Sequence, residues 1–510
     1  MLGRIFTVGG YTLLSRLTGF ASSIMLAAIL GAGPLADAFF VALRLPNSFR
    51  AIFAEGAFNT AFVPAYAHVH GKGGETSARL FADRIFTLLF LSQVVLLVVV
   101  WLFMPQAMRI LAPGFTDDPE QRRLAIELTR ITFPYLLLIT LVTLYGGMLN
   151  VMHRFASAAA ASILLNISMM ATLALAAFFP TAGHAAAWGV LISGFLQYFL
   201  LAGDLARHGG LPRFAPLKLD EDVRAFFRAL GPATLGSMGT QVAVFADTII
   251  ATFLAAGALS ALYYAERLYQ LPIGVIGVAA GTVLLPEMSR RLAGRDDSGA
   301  YHAQNRTMAI TLALSAPFCV AFLLIPDIVM RAAFLRGNFS AEAAANSAAV
   351  LAAYGLGLMP IVLIRSAVAS FQARGDTTTP MLISLAAIAI NVALKLVLYR
   401  TYGAVGLALA TAVGAWVNLG GLVLLALRRG WMRPDLGLAE VAAATFCASG
   451  LLALVVEVSE PPALAFADGL AHLRNEAQLA FTGAAGAVVY AVVLFVSLAA
   501  LGTPMRRRKA

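Results

Sequence analysis

The sequence predicts an all-α polytopic membrane protein with about 14 transmembrane helices, forming two six-helix lobes related by a parallel repeat plus two C-terminal helices. Three observations support this prediction. The 510 residues are 60% hydrophobic and only 12% charged, far below the charged fraction of soluble domains. Stretches 85–104 and 156–179 contain no ionisable residue over the roughly 20 positions that a helix needs to cross a bilayer. No segment alternates apolar and polar residues as a membrane β-barrel does.

Apolar runs between polar breaks define the predicted helices in chain order. They are expected at residues 3–30, 34–66, 80–110, 121–151, 155–179, 184–206, 222–255, 258–290, 303–330, 343–372, 379–399, 403–427, 437–457 and 477–501. Arg16 interrupts the first span, which runs directly into the second, so we expect this span to be retained rather than cleaved as a signal peptide. An even number of spans places both termini on one side of the membrane.

Lys and Arg residues indicate which side that is, because they concentrate in cytoplasmic loops. If the N-terminus is cytoplasmic, most of the 36 basic residues fall in cytoplasmic segments, including the tail at 506–509. The sequence therefore predicts that both termini are cytoplasmic. The net charge of +10 is then a signal of topology, and no nucleic-acid partner is expected, because no basic stretch is interleaved with aromatic residues in a soluble domain.

The longest polar connection, residues 207–224, divides the chain into halves that open with similar segments. These are LGAGPLADAFFVALRLP at 30–46 and AAGALSALYYAERLYQLP at 255–272. Both contain a small-residue turn, an aromatic pair, an Arg and a Leu-Pro. Because six helices separate the copies, the halves form a parallel repeat about an axis along the membrane normal, with a central cavity between them. The predicted domains are 1–215 with helices 1–6, 216–430 with helices 7–12, and 431–510 with helices 13 and 14.

Ten ionisable residues lie within or at the ends of the predicted spans. Six are basic and four are acidic: Arg16, Arg44, Arg50, Arg267, Arg365 and Lys395, with Asp37, Glu55, Asp247 and Glu266. Ten charges facing lipid would cost roughly 25–35 kcal/mol, more than the roughly 5–15 kcal/mol stability of an ordinary fold, so they must face water, protein or each other. The basic surplus predicts an anionic occupant, and planar guanidinium groups suit phosphate oxygens.

Helical geometry groups three of these charges on the second span. Asp37, Arg44 and Glu55 share one stripe of a straight helix, because their separations are close to whole turns. Arg50 lies about 140° away from that stripe, unless a kink at Pro46 turns it toward the same space. The alternative is that these charges form structural ion pairs rather than a binding site.

Asp247 and Lys395 are single charges in the seventh and eleventh spans. A structural salt bridge between them is the favoured interpretation. The alternative is a coupling site at which Asp247, helped by Asn391 one turn before Lys395, binds a proton or Na⁺. Neither Cys319 nor Cys447 has a partner at ligand spacing, so no metal and no other cofactor is expected. Coupling to the membrane potential, H⁺ or Na⁺ remains open.

Several motifs resemble a known family. They are the segment GAGPLADAFFVALRLPNSFRAIFAEGAFNTAFVP, the APGF of 112–115, FPYLLLITL at 133–141, LYYAERLYQLPIGVIGVAAGTVLLPEMSR at 262–290 and RGDTTTP at 374–380. Together they resemble the MurJ/MviN family of bacterial lipid II flippases, within the multidrug/oligosaccharidyl-lipid/polysaccharide exporter superfamily. The resemblance covers nearly the whole chain and implies a V-shaped pair of six-helix lobes, with two further helices forming a groove for the lipid tail.

The resemblance also implies roles for individual residues. Arg16, Arg50 and Arg267 match the family's cavity arginines, which would bind the pyrophosphate of lipid II. The remaining matched positions are basic at Arg44 and Arg365 and acidic at Asp37, Glu55 and Glu266. Ser22 and Ser23 depart from the family's Arg-Asp pair, and Gln270 replaces a Glu found in some relatives. The implied partners are lipid II, membrane lipids and proteins of cell-wall synthesis, at the bacterial inner membrane.

Three alternatives remain open at this point. A multidrug exporter of the same superfamily would favour an acidic, aromatic cavity, which the basic surplus disfavours. A flippase for another polyprenyl-pyrophosphate-linked glycan would share the charge pattern. A membrane transferase would need acidic metal-binding clusters, and the adjacent pairs at 117–118 and 296–297 lie in predicted loops. No catalytic residue is therefore predicted, and the protein is expected to be a carrier rather than an enzyme.

Overall fold

A computed structural model of the protein describes residues 2–51, 57–208, 210–470 and 473–501. Within these ranges the chain folds into helices and contains no strand. The helices are α1 (Leu2–Leu30), α2 (Pro34–Phe49), α3 (Ala57–Leu102), α4 (Met104–Leu111), α5 (Pro119–Thr132), α6 (Tyr135–Val151), α7 (Ala156–Ala174), α8 (Ala182–His208), α9 (Glu221–Ala251), α10 (Ala258–Pro272), α11 (Val278–Ala293), α12 (Asp297–Leu324), α13 (Pro326–Phe334), α14 (Ala341–Gln372), α15 (Thr378–Arg428), α16 (Leu436–Val458), α17 (Glu460–Asp468) and α18 (Arg474–Ala500).

Eleven helical segments among the described residues are long and apolar enough to cross a membrane. The chain is therefore an all-α, multi-pass membrane protein, as the composition predicts. Two of the helices, α3 with 46 residues and α15 with 51, are much longer than the roughly 20 residues that one crossing needs. Each is broken by a glycine with positive φ, 71° at Gly74 and 55° at Gly403. The count of 14 spans stays a prediction.

The predicted boundaries differ from the observed ones mainly where polar residues continue a helix. The stretch 67–79, predicted as a loop because of its polarity, is helical except at Gly74. Helix formation needs no apolar face where a helix extends beyond its packed part, so polarity alone does not mark the end of a helix. The predicted span 303–330 is also divided, since α12 ends at Leu324 and α13 begins at Pro326.

The helices form two compact units. The first comprises Met1–Ser260 with Arg336–Phe339, and the second comprises Ala261–Leu335 with Ser340–Ala510. In the first unit Phe226 of α9 packs edge-on against Phe58 and Phe62 of α3, with ring centroids 5.7 and 6.2 Å apart. Packing thus groups α9, predicted to open the second lobe, with α3. The predicted domains 1–215, 216–430 and 431–510 are defined by the repeat in the sequence and not by packing. They stay a prediction.

Two loops of the first unit dock on helix ends in the same way. Gly114 of the APGF loop approaches the end of α9 so closely that a Cβ would overlap the carbonyl oxygen of Thr252. Gly337 has the corresponding contact with the carbonyl oxygen of Ala28 in the last turn of α1. Asn338 adds hydrogen bonds there, its N–H donating to the Ala28 carbonyl at 2.7 Å and its side chain to the Ile29 carbonyl at 2.8 Å. The two loops thus make similar contacts, and the internal repeat stays a prediction.

Small residues allow close packing in the second unit. Gly357 of α14 lies so near α15 that a Cβ would be 2.8 Å from the Cα of Ala412. The rings of Tyr269 and Tyr354 stack 5.0 Å apart between α10 and α14. Helix α18 packs on α16, and its Tyr490 hydroxyl donates a hydrogen bond of 2.7 Å to the carbonyl of Ala313 in α12. The two C-terminal helices are thereby attached to α12.

Candidate functional site

Arg50 follows the end of α2 and lines a cavity of about 230 Å³ within the first unit. Small residues of the surrounding helices, such as Gly146 and Ala161, leave this space open. The other polar lining residues are Asn59, Tyr135, Thr143, Asn150, Ser162 and Gln197. Among the residues that the structure describes, no acidic side chain lines this cavity. A guanidinium group surrounded by amides and hydroxyls suits an anion that also carries neutral hydrogen-bonding groups.

A widened helical turn positions Arg50. Residues 50 and 51 form a π-helical turn four residues after Pro46, where the sequence predicts a kink. The second copy of the Leu-Pro motif is also followed by a π-helical turn, Ile273–Gly277, which begins directly after Pro272. Proline lacks the N–H of a regular turn, and π-helical turns occur frequently at functional sites.

Arg16 of α1 lines a second, more open cavity of about 520 Å³. Three residues, Asn150, Ala158 and Ser162, line both this cavity and that of Arg50. The two arginines, separated by more than thirty positions in the sequence, therefore face adjoining spaces in one unit. Arg16 itself is exposed, so it is accessible to a ligand in that space.

Asn59 is a residue that the sequence analysis missed. It lies in the first turns of α3, and its buried side-chain oxygen accepts no hydrogen bond from any described residue. A buried acceptor without a donor is unfavourable by about 1–3 kcal/mol, so its presence in a cavity indicates that a ligand or water satisfies it. Candidates are selected from the sequence mainly by their charge, and an unsatisfied amide becomes visible only in the folded structure.

Asp37 has a different environment from Arg50. It is 3% exposed, and both of its carboxylate oxygens accept hydrogen bonds at the start of α10. The N–H of Gly257 donates to Oδ2 at 2.6 Å, while the N–H and hydroxyl of Ser260 donate to Oδ1 at 2.8 and 2.5 Å. Arg44 likewise donates from Nε to the hydroxyl of Thr248 at 2.9 Å. Asp37 and Arg44, both on α2, therefore bind to the segment that runs from the end of α9 to the start of α10.

Arg267 lies on α10 in the second unit, one turn after Tyr263. Its Nη2 donates to the Tyr263 hydroxyl at 2.7 Å, and its guanidinium carbon lies 5.0 Å from the centre of the Tyr263 ring. The Nε of Arg267 is buried and makes no hydrogen bond with the described residues. Tyrosine thus holds the guanidinium in one orientation and leaves part of its hydrogen-bonding capacity for a ligand.

Glu266 and Arg365 also lie in the second unit. Glu266 accepts a hydrogen bond of 2.8 Å from the side chain of Gln270, one turn along α10. Arg365 of α14 is exposed, and Gly281 of α11 faces its aliphatic stem, since a Cβ there would lie 3.5 Å from the Arg365 Cβ. A larger residue in place of Gly281 would restrict the Arg365 side chain.

The three predicted ion-coupling residues are divided between the units. Asp247 is half-buried on α9 in the first unit. Asn391 and Lys395 lie one turn apart on α15 in the second, with exposures of 9% and 0%. Gly414 lies close to Asn391, because a Cβ on it would be 2.9 Å from the Asn391 Cβ. The predicted salt bridge between Asp247 and Lys395 stays a prediction.

One predicted site residue, Glu55, falls outside the described residues. Ser22 and Ser23, where the sequence departs from the family pattern, are both buried in α1 at 1% and 2% exposure. The Ser23 hydroxyl donates to the carbonyl of Gly19 at 2.9 Å, a bond within its own helix. These small hydroxyls therefore occupy packed positions.

Comparison with known proteins gives one consistent result. The family model for MurJ, described as "Lipid II flippase MurJ", matches residues 26–508. A "Probable lipid II flippase MurJ" of Rhizobium tropici is 38% identical over 467 residues, which cover 89% of this chain and 86% of the relative. A "Lipid II flippase MurJ" of Burkholderia cenocepacia is 33% identical over 438 residues, which cover 85% of each chain.

Solved structures share the fold. A lipid II flippase MurJ in an inward closed conformation matches with a TM-score of 0.82 at 22% identity, covering 97% of this chain and 99% of that one. An inward-facing multidrug resistance transporter of the MATE family, in the MOP superfamily, matches with a TM-score of 0.70 at 15% identity, covering 83% and 98%. At these identities the structural matches concern architecture alone.

Proposed function

This chain belongs to the MurJ family of lipid II flippases, and from that membership we propose that it moves lipid II from the inner to the outer leaflet of the bacterial inner membrane. Lipid II has a pyrophosphate, a glycan-peptide head and a polyprenyl tail. In our proposal the head enters a cationic cavity open to the cytoplasm and the tail stays in the lipid. Rocking of the lobes then exposes the head on the outer side by alternating access.

The adjoining cavities of Arg50 and Arg16 carry this proposal. Both guanidinium groups face spaces that share the lining residues Asn150, Ala158 and Ser162. The described lining of the cavity around Arg50 is neutral apart from Arg50 itself. Guanidinium groups bind phosphate oxygens through paired hydrogen bonds. We assign the pyrophosphate to Arg16 and Arg50, and the family resemblance gives Arg267 the same proposed role.

The other predicted site residues have supporting roles in the proposal. Arg44 and Arg365 add positive charge to the path of the head group. Asp37, Glu55 and Glu266 orient neighbouring donors, a role supported for Asp37 by its bonds to Gly257 and Ser260. No covalent step is needed, so the protein acts as a carrier and not as an enzyme. Proteins of cell-wall synthesis are proposed partners.

The membrane potential is a proposed driving force. Moving about two negative charges outward across 100 mV is worth roughly 4–5 kcal/mol if they travel uncompensated. Most of that gain vanishes if the arginines move with them. Coupling to H⁺ or Na⁺ would involve Asp247, Asn391 and Lys395, although the buried ammonium of Lys395 competes with a bound cation. Transport in liposomes with an imposed membrane potential, or with an imposed H⁺ or Na⁺ gradient, would separate these driving forces. In the neutral Asp247→Asn variant, transport should lose its dependence on the ion gradient and keep its dependence on the potential.

The decisive experiment measures lipid II in each leaflet of cells depleted of their own flippase. Such cells would receive wild type, Arg50→Ala or Arg123→Ala at matched membrane levels. Arg123 is the control, because its side chain is 81% exposed and its ion pair is with Glu127 on its own helix. We expect wild type and Arg123→Ala to restore outer-leaflet lipid II and Arg50→Ala to lose at least tenfold in rate, the equivalent of one charged hydrogen-bond pair.

Three outcomes are informative. Selective loss in Arg50→Ala supports the cationic-cavity flippase. If wild type does not restore outer-leaflet lipid II, lipid II is not the substrate, and another polyprenyl-pyrophosphate-linked glycan is favoured. Full activity of Arg50→Ala makes Arg50 structural and removes the basis of the cavity assignment.

The proposed orientation places both termini in the cytoplasm. It predicts that a cysteine replacing Lys218, in a cysteine-free background, resists membrane-impermeant reagents in intact cells. A cysteine replacing Glu120 at the start of α5 would react. Both residues are exposed. The reverse labelling pattern would overturn the orientation and leave the substrate proposal to the leaflet assay.

A further inference from the structure

The cavity beside Arg50 has features that binding of a phosphate alone does not explain. Most of its polar lining consists of neutral amides and hydroxyls, including Asn59, Asn150 and Gln197. A phosphate, which only accepts hydrogen bonds at its ionised oxygens, would be bound by donors. The buried side-chain oxygen of Asn59 is an acceptor and has no donor among the described residues. A ligand that reaches this oxygen in place of water must offer a hydroxyl or an N–H.

We propose that this cavity binds the sugar ring next to the pyrophosphate, with Asn59 accepting a hydrogen bond from its hydroxyl or acetamido N–H. The inference rests on the proposed function and adds a subsite to it. Sugar hydroxyls and acetamido groups both donate and accept, which matches a lining of amides and hydroxyls. Arg50 lines the same cavity, so a phosphate bound to its guanidinium group would lie near the ring.

The size of the cavity limits what it can hold. At about 30 Å³ for each water, its 230 Å³ equal roughly seven or eight waters, the scale of one monosaccharide rather than the complete head group. Gly146 and Ala158 keep the space open, and Ala158 also lines the cavity of Arg16. The rest of the head group, including the peptide, therefore lies outside this subsite.

Asn59 is suited to a specificity test because it is already unsatisfied. Replacing it with leucine removes an acceptor that no described residue uses, so folding should not suffer. A sugar donor, however, loses its partner in a largely buried site. A single neutral hydrogen bond of this kind corresponds to roughly a tenfold change in affinity.

The experiment compares two ligands with the same polyprenyl tail, lipid II and the sugar-free polyprenyl pyrophosphate, on purified full-length protein in nanodiscs. We expect Asn59→Leu to weaken lipid II binding about tenfold and leave polyprenyl pyrophosphate unchanged. Arg50→Ala should weaken both. The matched control is Asn418→Leu in the second unit, where the Asn418 amide donates a hydrogen bond of 3.3 Å to the Ser384 hydroxyl. This substitution should alter neither affinity.

Each result decides the inference. Selective loss of lipid II binding in Asn59→Leu supports the sugar subsite, and the same selectivity in Asn150→Leu would extend it to the shared wall. Unchanged binding of both ligands by both variants overturns it, as does an equal loss for both ligands. If wild type binds polyprenyl pyrophosphate and lipid II equally well, the pyrophosphate site remains and the sugar subsite falls. If wild type binds neither, the proposed function fails as well.

Discussion

Asp37 and Arg50 lie on the same short segment of chain, but their hydrogen bonds differ. Asp37 accepts three hydrogen bonds from Gly257 and Ser260, so both carboxylate oxygens are occupied inside the protein. Arg50 lines a cavity in which the side-chain oxygen of Asn59 accepts no hydrogen bond from the described residues. Only thirteen positions along the chain separate Asp37, whose charge is bound within the fold, from Arg50, which lies beside an open space.

The comparison shows that a charge within a span is not by itself evidence for ligand binding. Burial requires that each charge be satisfied, and the protein can supply the partners itself. Where partners come from backbone N–H groups, as at Asp37, substitution should first affect stability. Where the surroundings are open, as at Arg50, substitution should first affect transport.

The largest effect on stability is expected for Asp37→Ala. It would leave the buried N–H of Ser260 and the part-buried N–H of Gly257 without an acceptor, at about 1–3 kcal/mol for Ser260 and less for Gly257. Thermal unfolding of the purified protein in detergent would measure this loss. Asp37→Asn keeps an acceptor and should be affected less, and Asp117→Ala, at an exposed position, is the control. Loss of flipping by Asp37→Ala at unchanged stability would instead make Asp37 a substrate residue.

A second prediction exchanges one cation for another at the open site. Arg50→Lys keeps the charge but loses the planar pair of donors, so flipping should fall by about tenfold or less while the unfolding temperature stays near that of wild type. The leaflet assay and thermal unfolding on the same preparation would check both parts. A large fall in stability would show that Arg50, like Asp37, is needed for folding.

The smallest effect is expected for a satisfied carboxylate at a solvent-accessible position. Asp376, between α14 and α15, accepts hydrogen bonds from the Thr379 N–H at 2.9 Å and from Arg429 at 2.8 Å. The Thr379 N–H, with help from Arg429, holds the pKa of the Asp376 carboxyl below its ordinary value of 3.8. Because the folded pKa is lowered, the stabilisation is complete above the ordinary pKa and is lost as the pH falls through the folded value.

The corresponding measurement compares unfolding temperatures of wild type and Asp376→Asn across pH. Wild type should be slightly more stable above about pH 4, and the difference should shrink below it. A difference that is independent of pH would mean that the carboxylate charge of Asp376 contributes nothing. The contrast with Asp37 would then depend on burial alone.

Much of this protein was predictable from its sequence. Long uncharged stretches predicted the membrane helices, because lipid accepts only segments that satisfy their own backbone. The motif around Pro46 predicts a kink near that proline, and the structure has a π-helical turn that begins four residues later, at Arg50. The motifs of 30–46 and 262–290 identified the family, which the family match then established.

The breaks within long helices were harder to predict. Polar residues at 67–79 suggested a loop, but the helix continues on both sides of Gly74, whose positive φ alone marks the break. Local polarity reports on contact with water, and a helix can be solvated without unfolding. The same reasoning applies to Gly403 within α15.

By itself, the sequence determined that this chain is a helical membrane protein with a basic surplus of intramembrane charge, and which family it belongs to. These properties depend on composition and on local order along the chain. The tertiary structure decided which charges are satisfied and which border open space. The N–H groups that donate hydrogen bonds to Asp37 lie more than 200 residues from it along the chain. The Thr248 hydroxyl that accepts a hydrogen bond from Arg44 is likewise more than 200 residues away in sequence. Such partners are fixed by helix packing, and helical periodicity within one span cannot reveal them.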